Sequence, residues 1–260
     1  FLNIDLIVVN RFFGSEAGGK YGAVLQLSAY VRTFANMLAG VLTPTIVAKF
    51  GVNDVKGISE VSRQSVKLLG LVLALPVGLS CGFSKPFLSI WLGPSFEDLA
   101  SLMILLSAHL CVNLAVLPLF SVQVAYNKVR WPGIVTLVGG LANLTLAISL
   151  VKWGKFGMLG VAIAGAITLT IKNILFTPIY SAIIQKIHWW KYFPAIMPAA
   201  LGTIMVSSLA YMTTQLFILD SWMELVLAGV VVSSLFGLAA YVFMLNLEER
   251  KLLLGLIFSK

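Results

Sequence analysis

The sequence predicts an all-α, polytopic bundle of transmembrane helices. Hydrophobic residues make up 59% of the 260 residues and charged residues only 11%, whereas soluble domains carry about 25% charged residues. The mean hydropathy is +0.98. Several apolar runs reach the roughly 20 residues that are needed to cross about 30 Å of hydrocarbon. These runs continue through the C-terminal half, so a cleaved signal peptide does not explain them.

Seven full spans are predicted after a short apolar stub. The stub, Leu2 to Phe13, is too short to cross a bilayer. Because the chain opens with Phe1 rather than Met, we expect the stub to belong to a longer protein whose upstream part is absent. The seven predicted spans are Tyr21–Phe50, Val66–Leu92, Leu99–Ala125, Ile134–Val151, Met158–Ile184, Tyr192–Phe217 and Trp222–Leu247.

The longest predicted connection is the linker from Gly51 to Gln64. Its apolar residues recur at about helical spacing with charges between them, which predicts a short helix lying at the membrane interface. The other connections are short, as expected for antiparallel neighbours in a bundle.

Lysine and arginine counts predict the orientation. Cytoplasmic loops are enriched in basic residues, and alternate loops carry 11 on one side and 5 on the other. The first side holds Lys49, Lys56, Arg63, Lys67, Lys128, Arg130, Lys186, Lys191, Arg250, Lys251 and Lys260, and the second holds Arg11, Lys20, Lys85, Lys152 and Lys155. This predicts a cytoplasmic C-terminus and explains the net charge of +8 without nucleic-acid binding.

One stretch superficially matches a nucleotide-binding P-loop. Gly14, Gly19 and Lys20 fit most of G-x-x-x-x-G-K-[ST], but Tyr21 stands where the motif needs Ser or Thr to hold magnesium. The predicted orientation also places this turn on the non-cytoplasmic side, away from ATP. We therefore interpret the glycines as a tight turn with positive φ angles.

The sequence contains no motif that is typical of a metal-binding or cofactor-binding site. Cys81 and Cys111 lie inside apolar runs without metal-ligand spacing, which is typical of small buried hydrophobic side chains. The sequence predicts no cofactor, no metal site and no catalytic residues.

Two basic residues lie near the middle of predicted spans, Arg32 and Lys172. A charged side chain at the bilayer centre costs about 2.5–3.5 kcal/mol on insertion scales unless it has a partner or faces a wet cavity. Helical spacing places Ser28 and Asn36 beside Arg32, and Thr168 beside Lys172 with Asn173 adjacent. If both stripes face one interior, they form a positive chamber that would hold a phosphate strongly.

Other deep polar residues leave alternatives open. Arg32 could form a structural ion pair with Asp5 on the preceding helix, and Asp5 or His109 could serve in ion or proton coupling. His109 could equally be a hydrogen-bonded core histidine. Asn143 and Asn173 are expected to make interhelical hydrogen bonds.

Three stretches together resemble a known family. They are "NIDLIVVNRFFGSEAGGKYG" at residues 3–22, "LALPVGLSCGFSKPFLSIWLGPSF" from Leu73 to Phe96, and "GKFGMLGVAIAGAI" from residue 154 to residue 167. In order and spacing they resemble the second half of Wzx-like polysaccharide and oligosaccharide flippases, which belong to the MATE-like (MOP) exporter superfamily with the lipid II flippase as a relative. Small residues in the third stretch, including Gly160 and Ala164, permit close helix packing.

The resemblance implies a function and a domain division. Residues 1–186 would be the C-terminal lobe of a two-lobed transporter with its first helix truncated, and residues 187–260 would add two helices and a short cytoplasmic tail. The implied cargo is a polyprenyl-diphosphate-linked oligosaccharide, flipped across the bacterial inner membrane by alternating access during cell-envelope polysaccharide or lipopolysaccharide synthesis. The implied partners are membrane lipid, the absent N-terminal lobe, and glycosyltransferases or a glycan polymerase of the same pathway.

Two rival functions are weighed against the flippase. A MATE-type drug or cation antiporter should carry acidic residues in its cavity, whereas the deep charges here are mostly basic. A membrane-embedded glycosyl- or phosphotransferase would need an acidic cluster near a membrane face. Glu97 and Asp98 are the only paired acids at a span end on the outer side, so transport without bond breaking is favoured.

Overall fold

The computed structural model describes residues 2–52, 54–246 and 249–250, and within these ranges all regular structure is helical, which confirms the predicted all-α class. Seven helical stretches in these ranges are long and apolar enough to cross a membrane. The α-helices are α1 (Leu2–Gly51), α2 (Val55–Gly82), α3 (Ser84–Leu92), α4 (Ala100–Ala108), α5 (Leu110–Ala115), α6 (Leu117–Ala125), α7 (Arg130–Lys152), α8 (Gly157–Thr170), α9 (Thr177–Ile184), α10 (Phe193–Leu216) and α11 (Trp222–Ala239). The predicted cytoplasmic tail lies almost wholly outside the described residues.

Helix α1 is a hairpin that folds at Gly14. This glycine has φ 84° and ψ 174°, a conformation that is essentially restricted to glycine. It separates a short arm (residues 2–13) from a long arm (residues 15–51). Asn10 lies against Gly18, and Leu6 lies against Gly22, so the two arms run antiparallel. The predicted turn is therefore confirmed at Gly14, but Gly18 and Gly19 are helical and the turn is narrower than expected.

The predicted interfacial helix does not exist as a separate element. Helix α2 begins at Val55 and continues to Gly82, where the chain turns at Phe83 before α3. Asp54 caps α2, because its Oδ1 accepts a hydrogen bond of 2.8 Å from the backbone N–H of Gly57. The linker prediction was wrong because the amphipathic residues form the first turns of a long membrane helix.

The most extensive helix pair in the described chain is α2 with α10. Gly70 packs against Ala199, and Gly78 packs against Val206 so closely that an added Cβ would lie 2.6 Å from the facing Cβ in each case. Residue numbers rise together in the two helices, from Gly70 and Ala199 to Gly78 and Val206, so the helices run parallel. Small residues at four-residue spacing permit such close approach.

Helix α10 lies beyond residue 186, so the second predicted segment packs against the first along its length. The division at residue 186 stays a prediction from the sequence. Both cysteines are free and buried, as expected for small apolar side chains.

Candidate functional site

Arg32 lies at the middle of the long arm of α1. Its neighbours Val31 and Ala35 are buried in the bundle, whereas Arg32 itself is half-buried. The Nε atom of Arg32 is buried without a hydrogen-bond partner. Across the described part of the chain no ion pair joins Arg32 to Asp5, so the structure does not contain the structural pair considered above.

The two polar neighbours of Arg32 are held by backbone carbonyls. Asn36 is exposed and its Nδ2 donates to the Arg32 carbonyl at 2.9 Å. Ser28 is buried and its Oγ donates to the carbonyl of Leu106 on α4 at 3.2 Å. Ser28 therefore ties α1 to α4, and Asn36 is the neighbour that stays accessible beside the guanidinium.

His109 stands at the kink between α4 and α5, in a polar chain that leads to α8. Asn113 Nδ2 lies 2.8 Å from His109 Nδ1 and 3.1 Å from Thr170 Oγ1. The Asn113 side chain thus bridges the imidazole of His109 and the hydroxyl of Thr170. The structure thus places His109 in a hydrogen-bonded chain of side chains that crosses from α5 to α8.

Lys172 lies in a short π-helical segment (Ile171–Phe176) between α8 and α9. It is half-buried, and its Nζ stands 5.4 Å from the ring centroid of Phe120 on α6, a cation–π contact. Lys172 and Thr168 line an open groove of about 420 Å³ whose opposite wall is α7. Apart from the ammonium, that groove is walled mainly by apolar side chains.

The π segment has a local cause at its C-terminal end. Pro178 has no backbone N–H, so it cannot continue the ordinary ladder of hydrogen bonds. The backbone N–H of Thr177 bonds instead to the Lys172 carbonyl, and the Thr177 Oγ1 accompanies it at 3.3 Å. This places Asn173 inward, where its Nδ2 donates to the Asn113 carbonyl at 3.2 Å. Thr168 Oγ1 donates to the Ala164 carbonyl of its own helix at 2.8 Å.

Hydrogen bonds fix the depth of Arg32 relative to the α4–α6 span. Ser28 pairs with Leu106, and Thr43 Oγ1 lies 2.7 Å from Ser121 Oγ. Both pairs are separated by 78 residues, so the long arm of α1 runs parallel to α4–α6 at constant register. Arg32 therefore lies level with the start of α5.

The same reasoning fixes the depth of Lys172. Asn113 bonds to Thr170 and Asn173, which are 57 and 60 residues further along the chain. Lys172 therefore lies level with Asn113, about one helical turn, or roughly 5 Å, from the level of Arg32. We call Arg32, His109, Asn113, Thr170, Lys172 and Asn173 the mid-membrane polar layer, because they share this depth near the centres of three parallel spans.

Asp5 belongs to a separate buried contact. Its Oδ1 accepts a hydrogen bond of 3.2 Å from Asn143 Nδ2 on α7, and both residues are buried. Gly165 of α8 faces the same carboxyl, where an added Cβ would stand 3.5 Å from Asp5 Oδ2. The contact joins the short arm of α1 to α7 and α8, away from the polar layer along the membrane normal.

The structure brings the two cations to within about one helical turn in depth, but not into one enclosed cavity. Arg32 is not among the residues that line the Lys172 groove. Sequence reasoning missed Phe120 and Thr170, which complete the surroundings of Lys172 and Asn113. Thr170 lies one helical turn before Asn173 in the sequence, so its position was a usable signal, whereas nothing in the sequence indicated Phe120.

Comparison with curated proteins finds a membrane protein, EpsK of Bacillus subtilis (strain 168), which is described as uncharacterized. It is 35% identical to this chain over 254 residues, covering 98% of the chain and 50% of that protein. The chain thus spans about half the length of the curated relative that it matches. No protein-family model matches the chain, and no solved structure matches it. The chain is a membrane protein with several transmembrane helices, and nearly all of its residues align with EpsK.

Proposed function

We propose that this chain forms one lobe of a flippase that moves a polyprenyl-diphosphate-linked oligosaccharide across the bacterial inner membrane. The observation that carries the proposal is the mid-membrane polar layer, in which two cations on parallel spans lie within about one helical turn of each other in depth. Neither Arg32 nor Lys172 has an ion-pair partner among the described residues. A diphosphate would supply the missing negative charge.

The sign of the buried charge favours an anionic cargo. A cation near the bilayer centre is unfavourable unless it has a partner or a wet surface. Arg32 presents a planar guanidinium that suits bidentate phosphate binding. Lys172 presents a point charge at the edge of an open groove with mainly apolar walls. An apolar groove beside a cation suits a molecule with a lipid chain and a charged head.

Buried polar atoms without hydrogen-bond partners in the polar layer also favour an anionic, hydroxyl-bearing cargo. Arg32 Nε is a buried donor without a partner, and the Oδ1 atoms of Asn113 and Asn173 are buried acceptors without one. Buried polar atoms of native proteins are usually paired. Phosphate oxygens would accept from Arg32, and hydroxyl groups of the cargo would donate to the amide oxygens.

The remaining features of the proposal concern the whole protein. The absent N-terminal lobe would close the polar layer from the other side, and rocking of the two lobes would expose it alternately to each leaflet. The prenyl tail would stay in lipid, and no covalent bond would break. The basic ends of the spans would face the cytoplasm, together with the C-terminus and the enzymes of the same glycan pathway.

Charge-removing substitutions in the full-length protein test the proposal. Arg32→Gln and Lys172→Gln should each lower delivery of lipid-linked glycan to the outer leaflet at least about tenfold, since one hydrogen bond to a charged group contributes roughly 1.5–3 kcal/mol. The measurement is the outer-leaflet pool of lipid-linked glycan, normalised to the amount of membrane-inserted protein. Lys152→Gln, which removes a cation at the end of a span, is the matched control and should deliver normally.

Two outcomes would overturn the proposal. Normal delivery by both Arg32→Gln and Lys172→Gln would remove the polar layer from the transport path. Loss of delivery by the Lys152→Gln control to the same extent would show that net charge, rather than position, matters. Arg32→Lys keeps the charge but loses the planar fork, so it should retain part of the activity.

A cation antiporter is the second candidate, favoured by the buried carboxyl of Asp5 in the described bundle. In that case Asp5→Asn would abolish efflux of organic cations, while Arg32→Gln would leave it intact. If the protein is a flippase, Arg32→Gln should instead lower glycan delivery more than Asp5→Asn does.

A further inference from the structure

We propose that a cleft at the basic end of α2 and α10 binds the anionic headgroup of a membrane phospholipid. The cleft has a volume of about 370 Å³ and lies where α2 passes the turn between α9 and α10. We call it the basic cleft, and it is lined by Glu60, Arg63, His188, Trp190, Lys191 and Pro194. It takes no part in the proposed transport path.

The depth of the basic cleft follows from helix packing. An added Cβ at Gly70 would lie 3.2 Å from Ala115 Cβ, so Gly70 is level with Ala115, two residues past Asn113. Arg63 precedes Gly70 by seven residues on α2. At about 1.5 Å per residue, these nine residues place Arg63 roughly 14 Å from the polar layer. That is close to half of the ~30 Å hydrocarbon thickness, so the cleft lies at the headgroup boundary.

The aromatic side chains beside the cleft suit that boundary. Trp189 and Trp190 are 48% and 50% exposed. Trp190 stacks on Phe193 with ring centroids 4.5 Å apart, and Trp189 packs edge-on against both rings. Tryptophan is enriched at the membrane interface because its ring is apolar and its N–H is polar. The cluster gives a lipid glycerol region a flat aromatic surface next to the charges.

The charges of the cleft favour a phosphate. Arg63 is bound to Glu60, with Nη2 to Oε1 at 2.5 Å and Nε to Oε2 at 3.2 Å. This pairing neutralises Glu60 and holds Arg63 in place. Lys191 is exposed and has no acidic partner within 4.0 Å in the described ranges. Lys191 is therefore the cation that remains for a ligand, and basic pockets on the cytoplasmic side of helix bundles are suited to anionic headgroups.

The occupant is a lipid rather than a small soluble anion. The cleft opens beside exposed indole rings, and its second wall, α2, continues into the hydrocarbon region. A free phosphate would use Lys191 alone, whereas a phospholipid would also cover Trp190 and the adjoining helix surface. Phosphatidylglycerol has a small headgroup with one negative charge, and it is the lipid that we use as the probe.

Lipid retention measures the binding. The full-length protein is purified from mixed micelles containing equal amounts of phosphatidylglycerol and phosphatidylcholine, and retained lipids are counted by native mass spectrometry. The parent protein should retain phosphatidylglycerol selectively. Lys191→Gln should weaken this binding about fivefold, the factor expected for one cation near an anionic surface. Lys56→Gln removes an exposed cation at the same end of α2, outside the cleft, and should bind like the parent.

Trp190→Ala tests whether the bound phosphate belongs to a phospholipid or is free inorganic phosphate. It should weaken phosphatidylglycerol retention while leaving Lys191 in place, and excess inorganic phosphate should not displace the lipid. The inference is overturned if Lys191→Gln matches the parent, if phosphatidylcholine is retained equally, or if inorganic phosphate displaces phosphatidylglycerol. Because all variants keep Arg32 and Lys172, these results are independent of the proposed transport function.

Discussion

Lys67 Nζ and Glu249 Oε2 lie 2.6 Å apart in a buried ion pair that joins residues 182 positions apart in the chain. The same carboxyl accepts a hydrogen bond of 2.8 Å from the backbone N–H of Asn246. The pair therefore fixes the segment after α11 to the middle of α2. It also shows that Lys67, counted above among the loop cations, is a buried residue of the bundle.

Breaking this pair on one side should destabilise the protein. Glu249→Ala leaves Lys67 buried without a partner, which costs about 3–5 kcal/mol. Replacing both residues with apolar side chains, Lys67→Met with Glu249→Leu, should recover most of that loss, because no buried charge remains. Thermal unfolding in detergent measures both variants. Equal stability of Glu249→Ala and the parent would mean that the pair is exposed to solvent.

The α2–α10 contact should not accept a larger side chain. Gly78→Ala would place a Cβ 2.6 Å from Val206 Cβ, and overpacking of this kind costs roughly 1–3 kcal/mol. Gly140→Ala on α7 is the matched control, because nothing lies within 4 Å of its added Cβ. Alanine there should be neutral or slightly stabilising. Equal unfolding temperatures for the two variants would contradict the close packing of α2 on α10.

Two glycines of α1 should respond to alanine with opposite signs. Gly14 has φ 84°, so Gly14→Ala should destabilise the hairpin by about 1–3 kcal/mol. Gly19 is helical and has open space at its Cβ position, so Gly19→Ala should stabilise the helix by about 0.5–1 kcal/mol. Chemical unfolding in mixed micelles measures both. A shift in the same direction would show that the chain does not reverse at Gly14.

The stability of the first turn of α2 should fall at low pH, because the carboxylate of Asp54 that caps it becomes protonated. The hydrogen bond from the Gly57 backbone N–H lowers the pKa of Asp54 below its usual value. A depressed pKa in the folded state means that the contribution is present above the unfolded pKa and is lost as the pH falls through the folded value. Asp54→Ala should remove the cap and speed amide exchange in the first turn of α2 at neutral pH, whereas Asp54→Asn should keep most of the protection. Amide hydrogen exchange in residues 55–60 as a function of pH measures the effect.

Long apolar periodicity made the architecture predictable. A run of about 20 apolar residues has few structures available in hydrocarbon, because every backbone polar group must be satisfied internally. The spans, the turn at Gly14 and the burial of the cysteines followed from local sequence alone. The depth of Arg32 and Lys172 was also foreseeable, since each lies near the middle of its span.

Relations between helices were not predictable in the same way. The four-residue spacing of Gly70, Ala74, Gly78 and Gly82 was visible in the sequence, but nothing in α2 indicated that α10 would cover it. Likewise Lys172 could be assigned a depth but not a neighbour, because its contact with Phe120 joins two different spans. Such relations depend on pairings between distant residues, which one sequence does not encode locally.

The π segment before Pro178 makes the spacing of the later residues depend on one extra residue. A π turn holds one residue more than an α turn, so deleting one residue from Ile171 to Phe176 would let this segment close into an ordinary α-helix while α9 keeps nearly its present orientation. Ser181 would then stay near Gln123, whose Nε2 donates to it at 3.1 Å. The same deletion in the regular part of α8 or α9 would instead turn the residues that follow by about 100°. In this span, loss of a single codon should therefore be tolerated far better inside the π segment than on either side of it.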